Sequence, residues 1–216
     1  MPPAKTVKRG RGRPPGATRD ATRARILAAA RERFGLTGYG ATTNRDIATQ
    51  AGLTSAALYQ YFDSKLELFM ATVRDAESEL APRYRAVTEG ARTLREAFRA
   101  LVAESVKIHE EDASITVFLS ALPVEIRRYP EIAEAVADAP SEVVAVFVEL
   151  VDRGVARGEL SAGVSPEHVL SMFIACNMGL SLYAAAIDSR ALGPTAAAFD
   201  AVLEGTLFLT PRTKKP

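Results

Sequence analysis

Between residues 43 and 65 the chain collects side chains suited to gripping a polyanion whose surface also carries hydrogen-bonding edges. The run Thr54-Ser55-Ala56-Ala57-Leu58-Tyr59-Gln60-Tyr61-Phe62 begins with a turn of small residues, so its backbone can approach another surface closely. Leu58 and Phe62 are four apart, share one helical face and read as core-facing. Tyr59, Gln60 and Tyr61 then carry polar tips on the other faces. In a DNA major groove, Thr54, Ser55 and Ala56 would meet base edges and the tyrosine hydroxyls would meet phosphates. Arg45, flanked by Thr43 and Asn44 at the start of the preceding helix, is the long cation placed to reach a guanine edge. Lys65 opens the following helix, where it adds a phosphate contact beside free backbone N–H groups.

Local signals supply the elements that hold these groups. Thr43-x-x-Asp46 has the form of a capping box opening a helix through Ile47, Ala48 and Ala51. Gly52 breaks that helix and Leu53 returns to the core. Thr54 is the expected N-cap of a second short helix running to about Phe62. Ser64-x-x-Glu67 is another capping box, opening a long helix through Leu66, Leu68, Phe69 and Val73. Helices at 43–51 and 54–62 joined by a Gly turn make a helix-turn-helix. Upstream, Ile26, Leu27, Ala30 and Phe34 line one face of a helix, which Gly35, Gly38 and Gly40 are expected to stop.

Residues 1–17 are dominated by Pro, Gly and cations and read as a disordered basic arm. Within it, Arg11-Gly12-Arg13-Pro14 resembles the core of an AT-hook, in which Arg11 and Arg13 would enter a narrow minor groove of high negative potential. A solvated basic tail that raises affinity without reading sequence is the alternative.

The formal net charge of +1 conceals an asymmetry. Residues 1–65 hold 12 Lys and Arg against 4 Asp and Glu, whereas residues 66–216 hold 15 against 22. A basic third joined to an acidic remainder suits a chain with one end on nucleic acid or anionic lipid. The lone cysteine, Cys176, excludes an internal disulfide and reads as buried and inert. Two histidines and one cysteine exclude a Cys/His zinc site. The N-terminus lacks the apolar stretch of a secretory signal, so a cytoplasmic location is expected. No nucleophile–base pairing, phosphate-cradling Gly loop or His-x-x-x-His spacing occurs. The expectation is of neither an enzyme nor a resident cofactor or metal.

Taken together, Ile26-Leu27-x-Ala29-Ala30-x-x-x-Phe34, Gly38-Tyr39-x-Ala41-Thr42-Thr43, Ile47-Ala48-x-x-Ala51-Gly52-Leu53 and Leu58-Tyr59-x-Tyr61-Phe62-x-Ser64-Lys65-x-x-Leu68 resemble the DNA-binding domain of TetR-family transcriptional regulators. The match covers roughly residues 22–69. It departs where the family often has Gly (here Ala56) and Thr or Ser (here Ala57), which removes one hydroxyl from the expected groove surface. The resemblance implies a two-domain, all-α homodimer. Its first three helices would bind DNA. Its divergent remainder would bind a small molecule and dimerise through the last two helices, and effector binding would release the operator.

The acidic body carries helical periodicity in blocks near 92–110, 113–122, 124–137, 141–157, 165–188 and 194–209, with prolines between blocks or in first turns. Ser165-Pro166-Glu167 has the form of a helix start: cap, N1 proline, then an acid. Val169 to Ile187 is apolar nearly all round. The length suits a membrane span, but flanking polar residues and interior small residues favour a helix buried on every side, with no membrane involved. With Ala184–Ala186 and Ala196–Ala198 allowing close approach, residues 165–188 and 194–209 suit a four-helix homodimer interface. Such a dimer would present two recognition helices to a palindromic operator about 34 Å apart. Candidate groups around a small-molecule effector are Phe98, His109, Phe118, Phe147, Phe173 and Asn177. Each phenylalanine also reads as ordinary core, and His109, before Glu110-Glu111-Asp112, as a solvated helix end. Asn177, an amide in an apolar helix, must find a hydrogen-bond partner on a neighbouring helix or on the effector.

The expected organisation is a disordered basic arm (1–17), a helix-turn-helix DNA-binding domain (18–64) and a helical effector-binding and dimerisation domain (65–216). The expected function is that of a ligand-responsive repressor on a palindromic operator in double-stranded DNA. The alternatives are a non-specific architectural DNA-binding protein and a helical small-molecule or lipid carrier.

Overall fold

The computed structural model describes residues 15–187 and 189–207, so Arg11, Arg13, Asp188 and the expected helix end at 208–209 lie outside the described residues. Within the described residues there is helix and no strand. Helix α1 (Pro15–Ala41) buries Ile26, Leu27, Ala30 and Phe34 along one face, as the periodicity requires. It does not stop at Gly35. Gly35 packs beside α6 (Ala113–Arg128), where a Cβ would make ordinary van der Waals contact, 3.5 Å from the Phe118 backbone. The break falls at Gly38, whose φ of 79° and ψ of 169° leave the helix, with one further turn to Ala41. A Cβ at Gly38 would stand 2.8 Å from the Glu125 carboxylate. Glu125 is itself buried, one of its oxygens accepting no hydrogen bond among the described residues.

Helix α2 (Asn44–Gln50) and helix α3 (Ser55–Leu58) follow. The second is shorter than the expected 54–62. Regular helix ends at Leu58, but Gln60 N–H bonds to the Ala57 carbonyl and Tyr61 and Phe62 N–H both to that of Leu58. The tighter turn brings Phe62 into the core beside Leu58. Helix α4 (Lys65–Glu89) is capped by Ser64, whose hydroxyl accepts from Glu67 N–H at 3.0 Å. The reciprocal arm of that capping box is not made. The Glu67 carboxylate takes the Asp63 N–H instead.

Beyond α4 lie α5 (Leu94–Glu111), α6, α7 (Pro130–Ala137), α8 (Glu142–Ala156), α9 (Pro166–Ala186) and, after a short 3₁₀ turn, α10 (Leu192–Leu203). The expected break at Pro123 does not occur, and α6 runs through it. Proline there forfeits one backbone bond, and α6 tolerates this because it is held between α1 on one side and α9 on the other. The break comes at Tyr129, which adopts the extended φ of −124° and ψ of 108° that a residue before proline favours. Ser165 precedes Pro166 as expected, yet its side chain makes no capping bond. Helix α10 closes at Leu203, six residues before the expected end.

One continuous apolar core joins these helices. The only guanidinium sunk in it to under a tenth exposed among the described residues is Arg31 of α1. It bonds Asp112 and Ser114 at the head of α6 (2.5 and 2.8 Å) and lies 3.6 Å from Asp75 on α4. A buried cation survives only with such partners.

Within the single chain, helix α9 is buried on one face, and its other face is the one expected to pack on a twin. Val169, Phe173, Ser181 and Ala184 face the core, while Met172, Leu182, Tyr183 and Ile187 are exposed. It is also a helix long and apolar enough to cross a membrane. Cys176 on it is half-buried rather than buried, and partial burial raises its thiol pKa.

Gly38→Ala should destabilise the chain by about 1–3 kcal/mol, since the backbone region at Gly38 is nearly closed to residues with a Cβ. Urea unfolding monitored by circular dichroism measures it.

Candidate nucleic-acid interface and internal cavity

The 43–65 segment is held by caps that use up some of its hydroxyls. Thr43 Oγ1 accepts from Asp46 N–H (3.2 Å) and donates to the Asp46 carboxylate (2.6 Å), which also accepts the Thr43 N–H (3.1 Å). These bonds hold the Asp46 carboxyl below its ordinary pKa. Thr54 Oγ1 accepts from Ala57 N–H at 3.2 Å. Ile47, Ala48, Leu58 and Phe62 anchor the pair of helices from beneath. Outward from that base stand Thr43, Arg45, Thr54, Ala56, Tyr59 and Gln60, all exposed, with Ser55 half-buried. Tyr59 is the most prominent aromatic, at 51% exposure.

Three of the expected contact residues are placed differently. Asn44 is half-buried, and its side-chain oxygen is shielded from solvent without a donor. Tyr61 is half-buried under the Arg19 guanidinium, which lies 5.6 Å above its ring. Lys65 turns back onto the protein. Its ammonium sits 4.3 Å from the Tyr39 ring centre and 3.4 Å from the Gly40 carbonyl, and burial lowers its pKa against the pull of Glu125 and Glu131.

Residue spacing gave no hint that the first turns of α1 join this surface. Thr18, Arg19 and Thr22 line a notch with Gln60 and Tyr61, and Arg23 lies 5.6 Å over the Phe62 ring. The excess of arginine at 19–25 was the available signal, but only folding brings it beside residue 60. The result is a surface of tyrosine, amide and guanidinium groups around a short helix, the chemistry that contacts phosphates and base edges.

A cavity of about 210 Å³ lies under α4, α6, α8 and α9. Of the six candidates for it, Phe147 and Asn177 line it. The other four do not. Phe98 and Phe173 stack on each other with ring centres 3.7 Å apart, and Phe118 packs with Phe34 and Phe69. His109 is buried instead of forming a solvated helix end, because its ring turns inward and Nδ1 meets Thr116 Oγ1 at 2.7 Å. Asn177 finds a neighbouring helix, donating to Ser105 Oγ at 2.7 Å, and Ser105 in turn meets the Tyr84 hydroxyl at 2.7 Å. Glu77, Tyr84, Thr116, Ser120 and Ser141 are lining polar groups that periodicity did not single out. Burial pushes the Tyr84 hydroxyl pKa up to about 12. Among the described residues no group of His, Cys, Asp and Glu is arranged to hold a metal.

Residues 26–72 match the family model described as bacterial regulatory proteins, tetR family, and residues 88–179 match the one described as tetracyclin repressor-like, C-terminal domain. Over 113 residues the chain is 34% identical to the HTH-type transcriptional activator FasR of Mycolicibacterium smegmatis, covering 49% of this chain and 52% of that protein. Over 83 residues it is 36% identical to the HTH-type transcriptional repressor KstR2 of Rhodococcus jostii, covering 38% and 41%. The matched stretch thus spans about half the length, or less, of these curated relatives. The crystal structure of the regulator FadR from Bacillus subtilis in complex with stearoyl-CoA superposes with a TM-score of 0.71 at 16% identity, covering 86% of this chain and 99% of that one. At that identity the likeness is one of fold.

Burial holds the His109 imidazole pKa below its ordinary 6.5. The unfolded chain therefore binds this proton more readily than the folded one. The stabilising contribution is complete above the unfolded value and declines as pH falls through it. Urea midpoints should drop between about pH 7 and pH 5, and His109→Gln should flatten that part of the profile.

Proposed function

Because the chain belongs to the tetR family of bacterial regulatory proteins, we propose that it is a ligand-responsive transcriptional repressor that binds a palindromic operator as a homodimer. The observation that carries this reading is the exposed set Arg45, Ala56, Tyr59 and Gln60 on a doubly capped helix pair whose other face is core. The small first turn of α3 lets it sit deep in a major groove, where Ser55 and Ala56 meet base edges. Tyr59 and Gln60 then reach the flanking phosphates, while Thr43, with its O–H and N–H both given to Asp46, holds the start of α2. Arg45 reads a guanine edge, and Arg19, above Tyr61, adds a backbone contact. Lys65 acts through Tyr39 and the Gly40 carbonyl, fixing the kink of α1 against the start of α4. Arg11 and Arg13 supply sequence-independent attraction from the N-terminal arm. The DNA-binding unit is drawn at 18–64 and the effector and dimerisation unit at 65–216.

A second copy of the chain covers the exposed face of α9 and the neighbouring α10. Met172, Leu182, Tyr183 and Val202 lie open there, an apolar patch of a kind that marks an interface. Repression follows from occupancy, since a dimer seated in two major grooves excludes other proteins from them. One relative is described as an activator and the other as a repressor, so the sign of control is the part to test on a reporter. The small-molecule site is the cavity lined by Phe147 and Asn177. As a DNA-bound regulator the chain works in the cytoplasm.

Footprinting on genomic fragments should give a bounded, two-fold symmetric protection. Diffuse protection would favour the architectural reading instead. Arg45→Ala should weaken operator binding by about 1–3 kcal/mol, measured by fluorescence anisotropy. Deleting residues 1–17 should reduce the slope of log K against log salt by about 0.9 for each phosphate that the arm neutralises.

A further inference from the structure

The chemistry of the cavity wall narrows what it can hold, on the premise that the cavity is the ligand site. Most of the wall is apolar, with Leu80, Leu119, Leu122 and Phe147 prominent, and no lysine or arginine takes part. Its one carboxylate, Glu77, is 8% exposed. Glu77 accepts the Ser141 hydroxyl and, at 3.4 Å, the Glu142 N–H, so both its oxygens are already turned to donors. An anionic ligand would share a low-dielectric space with this carboxylate and meet no cation, an arrangement that costs more than hydrogen bonds return.

The wall is well furnished for a neutral oxygen. Ser120 is 6% exposed, lines the cavity, and makes no hydrogen bond to any described residue. A helical serine ordinarily returns its hydroxyl to the carbonyl one turn back, and this one does not. Nearby donors are partly spent. Ser105 Oγ donates to the Leu101 carbonyl at 3.0 Å, and so receives both the Tyr84 hydroxyl and the Asn177 amide. Asn177 also bonds the Tyr84 side chain, so Tyr84, Ser105 and Asn177 are engaged with one another. At the packing density of a protein interior, about 0.75, a volume of about 210 Å³ holds roughly 155 Å³ of atoms, the bulk of a molecule of about nine heavy atoms.

We propose that the cavity binds a slender, uncharged molecule of about eight carbons with one carbonyl or hydroxyl oxygen, received by the Ser120 hydroxyl, and that it rejects the free carboxylate of the same skeleton. Ketones, esters and primary alcohols belong to this class; fatty acid anions do not.

The test uses the full chain at pH 7.5 with 2-octanone and octanoate as matched probes, by calorimetric titration and thermal shift. 2-Octanone should raise the melting temperature in a concentration-dependent way and bind at least about tenfold more tightly than octanoate. Ser120→Ala should weaken 2-octanone about three- to tenfold. Glu77→Gln should raise octanoate affinity about tenfold while leaving 2-octanone within about twofold. If Glu77→Gln does not fold, Ser120→Ala and the probe ratio decide alone. Equal or tighter binding of octanoate, unchanged ketone binding in Ser120→Ala, or no binding of either probe overturns the proposal. Operator anisotropy separates it from the regulatory reading. 2-Octanone binding that leaves operator affinity unaltered upholds the ligand class and overturns the effector role. Operator release by octanoate and not by 2-octanone does the reverse.

Discussion

Helix α6 is a wall shared by two neighbours, and the rest of the structure is arranged on its two faces. On one side its Phe118 backbone lies against Gly35 of α1, and its buried Glu125 stands under Gly38. On the other side Thr116, Leu119 and Ser120 line the cavity. Its head is held by Arg31, whose guanidinium ties Asp112 and Ser114 to α1 and α4. Packed interiors transmit displacement because they do not compress. The same helix lines the cavity and seats the kinked end of α1.

The same constraint accounts for features that look costly in isolation. Pro123 interrupts the hydrogen bonding of α6 without ending it, because packing on two sides holds the helix. Gly38 takes a conformation closed to other residues, and that kink directs Tyr39 into the aromatic cluster with Phe34 and Phe69. Lys65 caps the arrangement from outside by lying on the Tyr39 ring. A residue expected to reach solvent phosphate is thus part of the joint between the α1 kink and the long helix that follows. The charge asymmetry of the sequence places cations in the first third of the chain, but which of them point outward is a matter of these local partners.

The polar groups of the cavity illustrate a different limit. Asn177 stood out in the sequence as an amide in an apolar helix, and it does bond a neighbour. Phe98, Phe118 and Phe173 stood out as readily as Phe147, yet they pack in the core, because an aromatic residue at helical spacing serves a core and a cavity wall equally well. His109 was obscured by the three acidic residues that follow it. Its ring faces inward because His109 continues the buried face of α5, four residues after Ser105 and seven after Val102.

The sequence alone determined the all-helical architecture, the two capped helices that open after Thr43 and Thr54, and the residues that anchor them, since caps and apolar spacing act within a few residues along the chain. It also marked the basic end of the molecule, because charge is additive. Only the tertiary structure decided that Arg19 lies beside Tyr61, that Lys65 folds onto Tyr39, that α6 passes through Pro123, and that Ser120 lines a cavity without a hydrogen-bond partner among the described residues. Each of these depends on contacts between helices far apart in sequence, whose rotation and depth are set by the packing of the whole core and not by any local signal.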